Sequence, residues 1–94
     1  MANGALVGDL GSEHDGFPPT PIISGASTVK IDGRAVARKG DPLEPHDKPK
    51  NPPHPRSVSE GSNSVMIEGK PAARVGDAIS FGGVIIGGST VNIG

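Results

Sequence analysis

Apolar and polar residues alternate in two short segments, Ser27-Thr28-Val29-Lys30-Ile31 and Ser64-Val65-Met66-Ile67, where Val and Ile recur at period two. That spacing predicts half-buried strands. Asp32-Gly33 and Glu68-Gly69 follow them, and Asp-Gly is a strong two-residue hairpin signal because both central positions need positive φ. A type I′ turn sets Val29 opposite Val36 and Val65 opposite Ala72. A bulged turn shifts that register, and both alternatives stay open at this point. Gly8-Asp9, Gly40-Asp41 and Gly76-Asp77 supply a second kind of turn. No segment has the length or periodicity of a helix.

These patterns belong to an internal repeat. Residues 25–41 read GASTVKIDGRAVARKGD and residues 61–77 read GSNSVMIEGKPAARVGD, with Gly, Val, Ile, Gly, Ala, Arg, Gly and Asp at identical offsets. A third copy is split between the termini: residues 87–94, GGSTVNIG, match the start of the unit, and residues 1–9, MANGALVGD, match its end. The chain therefore reads as one domain, residues 1–94, built as a ring of three equal units cut at a hairpin tip. Zipping the C-terminal strand to the N-terminal strand closes the sheet and removes exposed edges. The expected fold class is all-β, a small pseudo-three-fold conical fold of three hairpin repeats closed in this way, with long loops.

Three connectors of unequal length join the units: residues 10–24, 42–60 and 78–86. Six prolines fall between Pro42 and Pro55 in the second, which suggests a flexible Pro-rich linker on composition alone. A small domain seldom keeps a structureless loop of that length unless it is functional or pinned.

Composition sharpens the question of what holds the ring together. Gly (15) and Pro (10) are abundant, Trp, Tyr and Cys are absent, and only 21 residues are Leu, Ile, Val or Phe, a thin core for this length. No disulfide framework or thiolate zinc finger is available. Nine basic residues against ten acidic ones exclude a polybasic binder of nucleic acid or membrane. The N-terminus shows no basic region followed by an apolar run, so synthesis in the cytoplasm without a signal peptide is expected. The longest apolar stretch, Val84-Ile85-Ile86, is too short to span a bilayer. Stability then has to come from closed backbone pairing, a metal or a partner.

Pro71-Ala72-Ala73-Arg74, set in GKPAARVGD, and its degenerate form Ala35-Val36-Ala37-Arg38 resemble the signature of PAAR-repeat proteins. With three phased copies ending in Gly-Asp, the whole chain looks like a stand-alone PAAR domain. The resemblance implies a small cone that caps the trimeric VgrG-type spike of a type VI secretion system or related contractile phage tail. One copy per trimer would sharpen the tip that pierces the target envelope, touching that membrane transiently. It also implies delivery outside the cell by the machine, and a zinc ion near the apex held by His and Cys from the connectors. Approximate three-fold symmetry within one chain fits a partner with true three-fold symmetry.

All three histidines lie in connectors. His14 and His46 each follow the unit-ending aspartate by five residues, so a pseudo-three-fold axis brings them together; the third equivalent is Gly82, beside Phe81. His54 follows in the Pro-rich connector. Neutral imidazoles converging on an axis suit zinc, and a metal closing long loops stabilises a fold short of core; the bland alternative is three solvated side chains. We expect His14, His46 and His54 to bind the metal. The chain departs from the family in having no Cys, which leaves the fourth ligand to water, a carboxylate such as Asp15 or Asp47, or an outside group. Three His and an open position also describe a catalytic zinc, but a sharpened tip offers little concavity for a substrate.

Two further readings concern charged residues. Arg38 and Arg74 either touch the spike or pair locally with Asp41 and Asp77, and the local pairing is favoured. Asp9, Asp41 and Asp77 read as turn residues capping backbone N–H groups rather than as a carboxylate triad. Ser57 and Ser59 lack any nucleophile elbow. Phe17, Phe81, Ile22 and Ile23 are expected to pack in the core or connectors, and Ile85 and Ile86 in the core or the base. The reading is thus a non-enzymatic spike tip, with an effector adaptor that recruits toxins through the connectors as one alternative and a three-His zinc enzyme as another.

Overall fold

The computed structural model describes residues 2–13, 16–48 and 51–93. Among them there are strands and turns and no helix. The strands are β1 (Ala2–Asn3), β2 (Leu10–Gly11), β3 (Thr20–Pro21), β4 (Lys30–Ile31), β5 (Arg34–Ala35) and β6 (Pro42–Lys48). They continue with β7 (Asn51–Ser57), β8 (Met66–Ile67), β9 (Lys70–Pro71), β10 (Ile85–Ile86) and β11 (Asn92–Ile93).

The repeat hairpins form as the alternation predicts. β4 pairs β5 with Ile31 opposite Arg34, and β8 pairs β9 with Ile67 opposite Lys70. Asp32 and Gly33 have φ of 53° and 80°, and Glu68 and Gly69 have 53° and 81°, the two positive values of a type I′ turn. That settles the register: Val36 N–H donates to Val29 O and Ala72 N–H to Val65 O. In the third unit β1 pairs β11, Ala2 opposite Ile93, so the N- and C-terminal strands close the ring as the split copy implies.

The units then hand hydrogen bonds around a circle. Ala37 N–H donates to Ala5 O, Ala73 to Ala37 O, and Ala5 to Ala73 O, each at 2.9 Å. The flanking bridges repeat the same offset: Leu6 with Val36, Arg38 with Ala72, and Gly4 with Arg74. All three alanines are fully buried. A methyl is as much as each can bring to a point where three segments of the chain meet, which is the physical reason for Ala at this position. A second ring lies in the connectors, where Ile22 bridges Leu43, Val58 bridges Ile79, and Ile85 pairs with Gly11. The core is built on these two rings, Ala5, Ala37 and Ala73 together with Ile22, Val58, Ile85, Leu43 and Ile79.

The Pro-rich connector is the main departure from the sequence reading. It is a paired ribbon: β6 and β7, seven residues each, run antiparallel with Leu43 opposite Arg56, His46 opposite His54 and Lys48 opposite Asn51. The register shifts twice, between Leu43 and His46 and between His46 and Lys48. Pro45, Pro52, Pro53 and Pro55 all fall in those shifts, where the ladder asks for no N–H donor, so proline is tolerated. Two of the expected packing residues are also placed differently. Ile22, Ile85 and Phe17 are buried, but Ile23 and Phe81 are exposed.

Candidate functional site

Each unit ends in one local device. The Asp9, Asp41 and Asp77 carboxylates accept the N–H of the residue three before them, Leu6, Arg38 and Arg74, at 2.7–2.8 Å. The same three aspartate N–H groups donate back to the carbonyls of Leu6, Arg38 and Arg74 at 3.0 Å. Arg38 and Arg74 also fork onto their own Asp41 and Asp77 through Nε and Nη2. These bonds hold both guanidiniums above their usual pKa, as charge-assisted bonds to the ionised forms do. The arginines therefore brace turns, and the aspartates cap them.

Between units, hairpin tips lean on neighbours. The Glu68 carboxylate accepts from Ser27 N–H and Oγ, from Thr28 N–H at 2.8 Å and Oγ1, and from Arg38 Nη1 at 2.8 Å. Those donors, Thr28 first, hold its pKa down to about 2. This contact accounts for a Glu at φ 53°, a conformation that costs a residue with Cβ about 1–2 kcal/mol. Asp32 does the same for Thr90, accepting its N–H and hydroxyl at 3.1 and 3.2 Å.

The connectors are gathered by a residue that sequence reasoning missed. Arg56 of β7 is 2% exposed. Its Nη1 donates to Ser12 O (2.7 Å) and Gly82 O (3.3 Å), and its Nη2 to Gly11 O (3.2 Å) and Thr20 Oγ1 (3.2 Å). One guanidinium from the second connector thus ties the first and the third. It has no carboxylate partner among the described residues, its Nε is unpaired, and burial lowers its pKa. Space for it comes from Gly11, where a Cβ would approach Arg56 Nη2 to 3.1 Å and overlap Leu43 and Ile79. Gly11, Leu43 and Ile79 each lie two residues after their unit's aspartate, so a lone Gly among apolar equivalents was the available signal.

Of the predicted metal residues, His46 and His54 have their backbone in the β6–β7 ribbon that carries Arg56. Arg56 binds the carbonyl two residues before His14 and the carbonyl of Gly82, the phase-equivalent of His14 and His46. The backbone register sets His46 directly opposite His54. His14 and Asp15 lie outside the described residues, as do the side chains of His46, Asp47 and His54. Among the described residues no group of three His, Asp or Glu could hold a metal ion, and no helix is long and apolar enough to cross a membrane.

No curated protein matches the chain. The PAAR motif family matches over residues 13–87, which takes in both complete repeats, all three connector histidines and Arg56. The chain belongs to the PAAR-motif family, a structural family associated with the spike tips of type VI secretion systems.

Proposed function

We propose that this chain is a non-enzymatic spike tip, one copy of which caps a trimeric VgrG-type spike in a type VI secretion system or related contractile machine. The observation that carries this is the circular hydrogen bonding of Ala5, Ala37 and Ala73. A trimer presents one surface three times, and a chain with three equivalent units meets all of them with a single copy. Family membership supports a spike as the partner. The mechanism is mechanical. A ring whose units pair with one another, and whose termini pair as β1 and β11, has few free edges to peel when force is applied. The protein is made in the cytoplasm, assembled on the spike and carried out with it, meeting the target membrane only in passing.

Zinc is the group we propose for the connector side. His46 and His54, opposite each other in the β6–β7 register, are near neighbours as cross-strand pairs, and imidazole suits zinc. With His14 from the first connector they would hold the ion, which supplies a cross-link between connectors and no reaction. Elemental analysis should find about one zinc per chain, with a melting temperature that falls on chelation; metal-free protein indifferent to chelator would end this part of the reading. For the capping itself, the chain is mixed with its cognate spike and weighed by native mass spectrometry. One copy per spike trimer is expected, and no association with the trimer refutes it.

A further inference from the structure

Where the connectors meet, one structural position recurs three times. Ile85, Ile22 and Val58 point inward and are buried, and the residues that follow them, Ile86, Ile23 and Ser59, are exposed. Across the three seams Ile86 pairs with Leu10, Ile23 N–H donates to Pro42 O, and Ser59 N–H donates to Ala78 O. The fold therefore accepts Ser and Ala on one flank at the positions where it carries Ile and Leu on another. Core packing is not what demands the apolar pair.

That pair is the centre of a larger surface. Val84 lies two residues before Ile86 on the same face, and Pro21 lies opposite Leu10 in the β2–β3 register, with Ile23 two residues further on. Leu10, Ile23, Val84 and Ile86 are four of the seven large apolar side chains exposed among the described residues. Together they expose on the order of 300 Å² of apolar side chain, a patch size that is often functional on a small monomer. A three-fold partner would meet this surface once and its more polar equivalents twice, so the trimeric spike is a poor match for it.

Opposite charges flank the row at the two ends of β2. Before Leu10, Arg34 Nη1 reaches Val7 O (3.3 Å) and Asp9 Oδ1 (3.5 Å), and its Nε and Nη2 make no bond among the described residues. After Gly11, Glu13 is exposed, and its carboxylate makes no hydrogen bond or ion pair among the described residues. A row with a cation at one end and an anion at the other is complementary to itself reversed.

We infer that this flank is a self-association surface, on which two copies of the chain pair across a two-fold axis. The axis passes by the Leu10–Ile86 pair, lays one apolar row antiparallel on the other, and sets each Arg34 against Glu13 of the second copy, as an isologous contact requires. With its rim the contact buries about 1,000 Å² in total, the low end for specific interfaces. The pairing is therefore weak, and it shields the row in the free chain whatever the hairpin ring binds.

Sedimentation equilibrium from about 10 µM to about 1 mM should show monomer and dimer with a Kd on the order of 100 µM. A single monomeric species throughout overturns the proposal. Ile86→Asp should raise the Kd at least about tenfold with the melting curve kept, while Met66→Asp, exposed on β8, should leave it alone. Wild-type pairing in Ile86→Asp overturns the proposal as well. Arg34→Glu and Glu13→Arg should each weaken pairing and together restore it; a double variant no tighter than either single one refutes the two-fold arrangement. Monomer that floats instead with phosphatidylcholine vesicles makes the flank a lipid surface and ends the pairing. Failure of the wild-type chain to bind any spike removes the capping reading alone, since pairing is measured on the free chain.

Discussion

Arg56 presents a conflict of magnitudes that a single substitution resolves. Its guanidinium makes four hydrogen bonds to neutral oxygens, at 2.7, 3.2, 3.2 and 3.3 Å. Bonds involving a charged group contribute about 1.5–3 kcal/mol each, and the two or three best of these set the gain. Against them stands a cation that is 2% exposed, has one unpaired nitrogen and has no carboxylate partner among the described residues, a burial that costs several kcal/mol. Arg56→Met recovers that desolvation cost and keeps most of the volume. It also strands the Gly11, Ser12 and Gly82 carbonyls, at about 1–3 kcal/mol for each that water does not reach.

The net loss we expect is about 2–4 kcal/mol. A chain of this size has a total stability of roughly 5–14 kcal/mol, so the variant folds. Each kcal/mol moves the melting point of such a domain by about 4–8 °C, and a drop of about 10–25 °C should follow. Melting is read by circular dichroism in chelator, so that any metal is out of the comparison, and amide exchange locates the damage. Connector amides such as Ser12 and Ser80 should lose protection before Ala5, Ala37 and Ala73. Arg56→Lys, which keeps the charge but not the fork, should fall between wild type and Met. A Met variant that melts within 3 °C of wild type, or above it, would falsify the claim that Arg56 is the hub of the connectors.

Ala73→Leu should lower stability by about 1–3 kcal/mol through overpacking where three fully buried alanines meet; Val91→Leu at an exposed site is the control, and equal melting points for the two would show that the ring has slack. Glu68 has a folded pKa of about 2 against an ordinary 4.5, so its contribution is complete above pH 4.5 and disappears as pH falls toward 2. The melting-point gap between wild type and Glu68→Gln should therefore close over that window, and a gap constant from pH 7 to pH 2 contradicts the latch. Gly69→Ala, at φ 81° with open space around it, should cost about 1 kcal/mol from backbone strain alone, and a melting point equal to wild type would put the turn out of type I′.

The hairpins were legible because their information is local. Val-x-Ile alternation and Asp-Gly or Glu-Gly fix both strand and turn within a few residues, and the type I′ geometry then leaves one register. The closing strands were legible because the split copy keeps the phase of the unit. That phase slips once: the sequence aligns Gly88 with Ala26 and Ser62, yet Ser89 N–H takes the place of theirs, donating to Gly4 O as Ala26 does to Val36 O and Ser62 to Ala72 O. The β6–β7 ribbon was hidden because proline has no donor and erases period two, so its pairing depends on register shifts with no sequence signature. The same ribbon turns the eight-residue spacing of His46 and His54 into a cross-strand pair, which spacing alone did not reveal. Nothing in the local sequence around Arg56, which follows Pro55 in the Pro-rich connector, marks it as buried. Its burial is decided by Gly11, more than forty positions away, and charge patterning along the chain carries no such information.

Arg56 also explains what a single chain achieves that three identical ones cannot. A true trimer repeats every residue on the axis, and three guanidiniums at one point would repel and collide. Here the layer two residues past the aspartates is Gly11, Leu43 and Ile79, one gap and two fillers, and the gap admits one arginine. Fusing the units lets the connectors break symmetry at the axis, while the Ala5, Ala37 and Ala73 ring keeps it, bond for bond. A closing plug needs the first property, and docking onto a trimer needs the second. Replacing Gly11 by Ala tests whether the two are separable: its Cβ would lie 2.4 Å from Leu43 and 2.5 Å from Ile79, so the connectors must shift. If the ring is independent, the ring amides keep their exchange protection and spike binding survives, while the plug loosens. Loss of both together would mean that symmetry at the ring depends on asymmetry at the plug.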